Sequence, residues 1–252
     1  MPIIQSVDRA LTILDLFDEQ TRELKITEIS FRIGLHKSTV HSLLKTLQLH
    51  GYIEQDVNGL YRLGMRLLEK GQLLLQGLDL RETAAGPMRR LSDATGQTVH
   101  LVIRDGAEGV YIDKVEGNKA AIRYSRIGRR VPLHSSAVGK VLAAFMTATE
   151  LATTLKDYDF TVHTPHTIAS EASFREELRS VREQGVAYDR EENEPGVRCA
   201  SAPVYDHQGH VTAAISISTM AAKVDDEELS SFVEKLRETA DAISRGIGYS
   251  PR

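Results

Sequence analysis

Apolar residues near the start of the chain recur with the period of a helix. Val7, Ala10, Leu11, Leu14 and Phe17 form one stripe. Ser6 ahead of it is a suitable N-cap, and Asp8 sits in the first turn, where the helix dipole favours an acid. Thr27 is predicted to cap a second, short helix with Ile29 and Ile33 inward, and Gly34 to end it. After a turn at Leu35–His36, Val40, Leu43, Leu44 and Leu47 mark a third helix. Its other face shows Lys37, Ser38, Thr39, His41, Ser42 and Lys45, all polar or basic and none acidic. Tyr52-Ile53 and Leu60–Leu63 then flank Asn58-Gly59, a short-hairpin signal. Two short helices joined by a glycine turn and followed by a hairpin predict a winged helix-turn-helix over residues 1–64.

The pattern then changes twice. Met65 to Leu78 is Leu-rich (Leu67, Leu68, Leu73, Leu74, Leu75) and reads as a linker helix, residues 65–78. From Asp79 a helix runs to Thr95, with Pro87 as a kink or break. Thr98–Arg104 and Val110–Val115 alternate about the turn Asp105–Gly109 and read as an antiparallel pair. Ile122–Arg126 is a short predicted strand, and a helix is predicted from Ser136 through Met146. Another helix spans Ser170 to Gln184 and stops at Gly185. Val186–Asp189, Ala200–Tyr205 and Val211–Ser218 read as strands, and Asp225–Glu228 opens a last helix ending near Gly246. Strands on short turns with helices outside predict an α+β antiparallel sheet domain, residues 79–252.

Composition bounds the function. With 252 residues, 41% hydrophobic, the chain is long enough for one or two domains with real cores. One cysteine excludes an intramolecular disulfide scaffold. No run approaches the ~20 apolar residues that span a bilayer, and the start lacks a signal peptide's basic region, so a cytoplasmic protein away from membranes is expected. The formal charge is only −4, but it is unevenly spread. Ile29–Ile53 contains no Asp or Glu, and neither does Gly117–Thr149, which carries Lys119, Arg123, Arg126, Arg129, Arg130 and Lys140. Acids gather at Asp189–Glu194 and Asp225–Glu228. Duplex DNA repels carboxylates, so an acid-free outer face on the third helix points to double-stranded DNA as partner. Lys37, Ser38, Thr39, His41, Ser42 and Lys45 are the residues expected to meet base edges or phosphates, with Arg62 anchoring the wing and Arg9 meeting a phosphate.

In the second domain, His134–Lys140 is a small-residue loop opening a helix, where unpaired amides favour an anion. Ser216 and Ser218 lie two apart on an apolar strand and share a face, so they cap backbone or meet a polar ligand. Lys140 is either a counter-charge for that ligand or a solvent-facing residue.

The blocks QSVDRALTILDLF, TEISFRIGLHKSTVHSLLKTLQLHGYI and GLYRLG resemble the IclR family of bacterial transcriptional regulators. So do VPLHSSAVGKVLAAF at Val131–Phe145, DREENEPGVRCASAPVYD at Asp189–Asp206 and AAISIS at Ala213–Ser218. The resemblance spans essentially the whole chain and is nearest to members that control sugar-acid (aldonate) catabolism. It implies a GAF-like (profilin-like) second domain, a linker helix that helps dimerise the DNA-binding halves, and a dimer or dimer of dimers on a palindromic operator. It further implies a pocket for a small carboxylate lined by Ser136, Ala137, Val138, Gly139, Asp189, Cys199, Ser216 and Ser218. Ala137 replaces the glycine of some members. Hydroxyl and amide donors beside one carboxylate suit a hydroxylated anion such as a sugar acid.

Three rivals remain. An enzyme would need Cys199 paired with His134 or His207, without any nucleophile-elbow signature. A metal switch has only His163 and His166 to offer in a Thr/Pro-rich loop, although some family members bind zinc; no cofactor, no resident metal and no catalysis are expected. The second domain could also be an oligomerisation scaffold without an effector.

Overall fold

A computed structural model describes residues 3–18, 20–76, 79–119 and 125–250. The chain divides into two compact units, Met1–Gly77 and Leu78–Arg252.

The first unit holds helices α1 (Gln5–Asp15), α2 (Ile26–Ile33), α3 (Lys37–Leu49) and α4 (Arg66–Gln76), and strands β1 (Leu24–Lys25), β2 (Ile53–Gln55) and β3 (Leu60–Leu63). Ile13, Leu24, Ile29, Val40, Leu44, Leu47, Ile53 and Tyr61 form its core. Gly34 ends α2 in the left-handed conformation (φ 65°), as expected. Two cap assignments change. α1 begins two residues early, with Ile4 rather than Ser6 at the N-cap. α2 starts at Ile26, so Thr27 lies inside it, and the Lys25 amide donates to Glu28 Oε2 at 2.7 Å instead. The stripe on α1 also shifts. Ile13 is the residue fully buried, whereas Val7 and Leu11 are more than half exposed. The helix is apolar around more of its circumference than its own core covers. The wing turns on four residues, Asp56–Gly59, rather than two: the Asp56 amide bonds Leu60 O, and Asp56 Oδ1 accepts from the Asn58 and Leu60 amides. β1, which sequence periodicity did not show, pairs with β3.

The second unit holds α5 (Asp79–Thr95), β4 (Thr98–Asp105), β5 (Glu108–Val115), β6 (Arg130–Pro132), α6 (Ala137–Ala144), α7 (Ala148–Leu155), α8 (Glu171–Gln184), β7 (Ala187–Arg190), β8 (Val197–Tyr205), β9 (Val211–Met220) and α9 (Asp226–Gly246). Among the described residues the strands form one antiparallel sheet in the order β6-β5-β4-β9-β8-β7. Pro87 does not break α5, which is helical on both sides of it. The helix predicted through Met146 stops at Ala144, and Thr147 caps a separate α7 through a capping box with Glu150. The predicted strand at Ile122–Arg126 lies largely outside the described residues; Ser125 and Arg126 are not in a strand.

Register decides the two faces of this sheet. Val99, Leu101, Ala200, Ala202, Ile215 and Ile217 share one face and pack on Leu80, Ala84, Met88 and Leu91 of α5 and Leu229, Phe232, Leu236 and Ile243 of α9. The alternate residues face α6 and α8. There the apolar part comprises Val102, Ala187 and Ala214 with Val138, Val141, Phe174 and Leu178. The rest of that face is polar. Asp189, Cys199, Ser218 and Thr98 pair in sequence across β7, β8, β9 and β4, and Ser201, Ser216, His100 and Lys114 form the next row. A bulge between Leu101 and Val102 turns Tyr111 to the side occupied by Lys114, though they are three apart.

Candidate nucleic-acid interface and ligand cavity

On α3, Lys37, Ser38, Thr39, His41, Ser42 and Lys45 are all exposed, while Val40, Leu44 and Leu47 are buried. Apolar residues on one side force the others outward. His36 caps the helix, its Nδ1 accepting from the Ser38 amide at 3.4 Å. The Ser42 hydroxyl donates to Ser38 O at 3.1 Å. Arg9 is half-buried on α1. Arg62 projects from β3, but its guanidinium pairs with Glu54 across the wing at 3.1 Å, so a phosphate would have to displace that carboxylate.

In the second unit, the polar part of the sheet and the start of α6 line a small, partly open cavity. Of the eight residues expected there, Ser136, Ala137, Val138, Asp189, Cys199, Ser216 and Ser218 line it. Gly139 is buried one residue behind. A Cβ on it would collide with the backbone of Pro132 and Leu133, so it is what lets α6 pack against the strand before it. Ser136 caps α6, accepting from the Gly139 amide at 3.1 Å and donating to Pro132 O at 2.6 Å. The Ala137 and Val138 amides precede the first intrahelical bonds, and both residues line the cavity. The Ser216 hydroxyl, on a residue 2% exposed, has no hydrogen-bond partner among the described residues.

Lys140 faces neither solvent nor the cavity. It is 1% exposed, and its ammonium donates to Glu192 Oε1 (2.7 Å), Tyr188 O (2.8 Å) and Glu177 Oε1 (3.0 Å). The acidic run at Asp189–Glu194 is therefore not simply a solvated face, because Glu192 is buried against this lysine. Thr167 donates to Glu192 O and Ser135 to Asn193 Oδ1, which ties down the cavity wall.

Burial pushes the Asp189 carboxyl up to about 7, helped by the Glu192 charge and opposed by the Glu192 and Asn193 amides and by Lys140. Asp189 Oδ1 accepts those amides at 2.8 and 3.3 Å. Burial also raises the Cys199 thiol, with Asp189 adding to the effect, so the sulfur stays protonated and donates to Ser218 Oγ at 3.2 Å. The pairing an enzyme would need is not formed. His134 is held by Tyr158 Oη and Thr161 O, and His207 is exposed.

The cavity also contains residues that sequence reading did not assign: His100, Tyr111, Ser125, Arg129, Val131, Asn193, Glu194 and Val197. His100 and Tyr111 were legible only as alternating strand positions. Arg129 lay within the acid-free run, and Asn193 and Glu194 within the acidic one.

Among the described residues no three His, Cys, Asp or Glu side chains are grouped to hold a metal. No helix among them is long and apolar enough to cross a membrane.

Comparison with known proteins agrees with this architecture. A family model described as the IclR helix-turn-helix domain matches residues 6–57, and one described as bacterial transcriptional regulator IclR C-terminal matches residues 72–245. The chain is 56% identical to the HTH-type transcriptional regulator XynR of Escherichia coli K12, over 99% of both chains. It is 39% identical to the HTH-type transcriptional regulator KdgR of the same organism, over 98% of this chain and 94% of that one. The crystal structure of Thermotoga maritima IclR superposes with a TM-score of 0.77 at 34% identity, covering 98% of this chain and all of that one. The chain therefore belongs to the IclR family of bacterial transcriptional regulators, with a DNA-binding helix-turn-helix domain ahead of the family's C-terminal domain.

Proposed function

We propose that the protein is a ligand-responsive regulator, not an enzyme, acting in the cytoplasm. It reads a palindromic operator as a dimer or dimer of dimers and senses a small organic acid, a sugar acid in particular. The exposed, acid-free face of α3 supports Lys37, Ser38, Thr39, His41, Ser42 and Lys45 as the DNA-reading residues, with Arg9 and Arg62 on phosphates. Apolar residues left exposed on the first unit, including Val7, Leu11, Leu68 and Leu73, support its dimerisation.

The observation that carries the sensing role is one cavity that brings Ser136, Ala137 and Val138 at the start of α6 together with Asp189, Ser216 and Ser218 of the sheet. The Ala137 and Val138 amides take a carboxylate, and Asp189 accepts from ligand hydroxyls. Gly139 serves by letting the start of α6 pack closely against Pro132 and Leu133. Bound ligand shifts the DNA-binding state only by its differential affinity for two arrangements of the protein.

The test is electrophoretic retardation of promoter fragments from the source genome by the full chain, titrated with five- and six-carbon aldonates. At least one fragment should be retarded at low salt, and an aldonate should change that binding. Failure to retard any fragment, or indifference to every aldonate, refutes the corresponding half of the proposal.

A further inference from the structure

Four groups in the cavity are joined end to end. Cys199 Sγ lies 3.2 Å from Ser218 Oγ, Ser218 Oγ lies 3.2 Å from His100 Nδ1, and His100 Nε2 lies 2.7 Å from Ser125 Oγ. Strand register makes the chain. Cys199 and Ser218 are opposed on β8 and β9, and His100 is the diagonal neighbour on β4. Lys114, opposite His100 on β5, donates to the Ser125 carbonyl at 2.8 Å and holds that residue over the ring. His100 is 1% exposed and packs against Tyr111 at a centroid distance of 4.9 Å. Burial, with the Lys114 charge, pulls its pKa down to about 3 and keeps it neutral.

A proton count gives the chain a direction. Thiol, hydroxyl, neutral imidazole and hydroxyl carry one mobile proton each, and three links use three of the four. The remaining proton belongs to one end. The Cys199 thiol donates to Ser218, so the Ser218 proton goes to His100 Nδ1. The ring proton then sits on Nε2 and is given to Ser125, whose own O–H is the surplus one, free for the cavity that Ser125 lines. Running the chain backwards would leave the surplus on a thiol, a weak donor, and turn Ser125 lone pairs toward a bound anion.

We propose that His100 sets the ligand specificity of this cavity: as the Nε2–H tautomer it fixes the Ser125 hydroxyl as a donor to the effector's carboxylate. This rests on the sugar-acid reading above and adds two residues to it. Ligands bearing a carboxylate at this point are favoured over the neutral alditol or primary amide of the same skeleton, because charge-assisted bonds are the stronger.

The test uses the full-length protein in two measurements. The first is imidazole nitrogen NMR of the ligand-free wild type, with the His100 signals assigned by their loss in His100→Gln. It should show Nε2 protonated and Nδ1 bare, without titration between pH 6 and 8. The second is calorimetry of wild type and Ser125→Ala against D-gluconate, D-galactonate and D-arabinonate, each beside its alditol. Ser125→Ala should weaken whichever aldonate binds by about tenfold or more, the loss of a bond to a charged group, and should leave circular dichroism unchanged. A ring protonated on Nδ1, or Ser125→Ala binding as tightly as wild type, overturns the proposal. If no aldonate binds wild type, the sugar-acid reading fails and the ring spectrum alone decides the relay.

Discussion

The two faces of the six-stranded sheet are made of alternate residues on the same strands, yet they solve different problems. Val99, Leu101, Ile215 and Ile217 are covered by apolar side chains of α5 and α9, and nothing on that side could recognise a small polar molecule. Thr98, His100, Ser216 and Ser218 occupy the intervening positions. Burying such groups without partners would be costly, and several on this face are satisfied by one another or by backbone: Ser218 with Cys199 and His100, Ser201 with Ile215 O, Asp189 with two amides; the Thr98 hydroxyl is buried without a partner among the described residues. The apolar face supplies stability that is spread over many contacts. The polar face depends on a few specific links, so single substitutions should separate folding from sensing.

The largest effect should come from Lys140. Lys140→Met strands Glu192, whose Oε2 is already buried without a partner among the described residues. Breaking a buried ion pair from one side costs about 3–5 kcal/mol. Adding Glu192→Gln should recover most of that, since both charges are then gone; Glu177 is about one-third exposed and can turn to solvent. Urea unfolding followed by circular dichroism measures both steps. A single variant as stable as wild type would show that the polar face does not depend on this pair.

Asp189 gives a pH test of the same face. Its folded pKa of about 7 lies above the ordinary 3.8. Between those values the folded protein holds a proton that the unfolded chain has released. Stability contributed here therefore falls as pH rises from about 4 to 7 and is flat above. Asp189→Asn keeps an oxygen for the Glu192 and Asn193 amides and does not titrate. Relative to wild type it should be stabilising at pH 8, by on the order of 4 kcal/mol at most, and the gain should shrink on acidification. A gain independent of pH would mean the carboxyl does not titrate in this window.

How much of this was legible beforehand follows the same division. The apolar face, α8 with its Gly185 stop and the exposed side of α3 were readable, because periodicity records which side chains must avoid water. Which edge of α1 is covered was not readable, since both edges are apolar and packing against α3 chooses Ile13. Cys199 on β8 came from a resemblance; the start of α6 came also from its small-residue helix-opening pattern, and Ser216 and Ser218 also from sharing a strand face. His100, Ser125 and Tyr111 escaped because what brings them together is cross-strand register and one bulge, neither of which is encoded locally. Lys140 escaped because a lysine's partner, here 52 residues away, leaves no trace in a local pattern.

The smallest stability effects make the sharpest version of the comparison. Ile217 and Ser216 are neighbours on β9, and both are at most 2% exposed. Ile217→Val on the apolar face should cost about 1 kcal/mol and leave aldonate affinity unchanged, because the methyl it removes faces α5 and α9. Ser216→Ala removes a hydroxyl that no protein group holds, so stability should move by less than ~0.5 kcal/mol or even rise. Yet it takes away a donor to the bound anion, and the aldonate dissociation constant should increase roughly tenfold. Thermal unfolding and calorimetry on the same two variants decide it. The comparison breaks if Ser216→Ala unfolds the domain or if Ile217→Val impairs binding, since either result would mean that the two faces share one role.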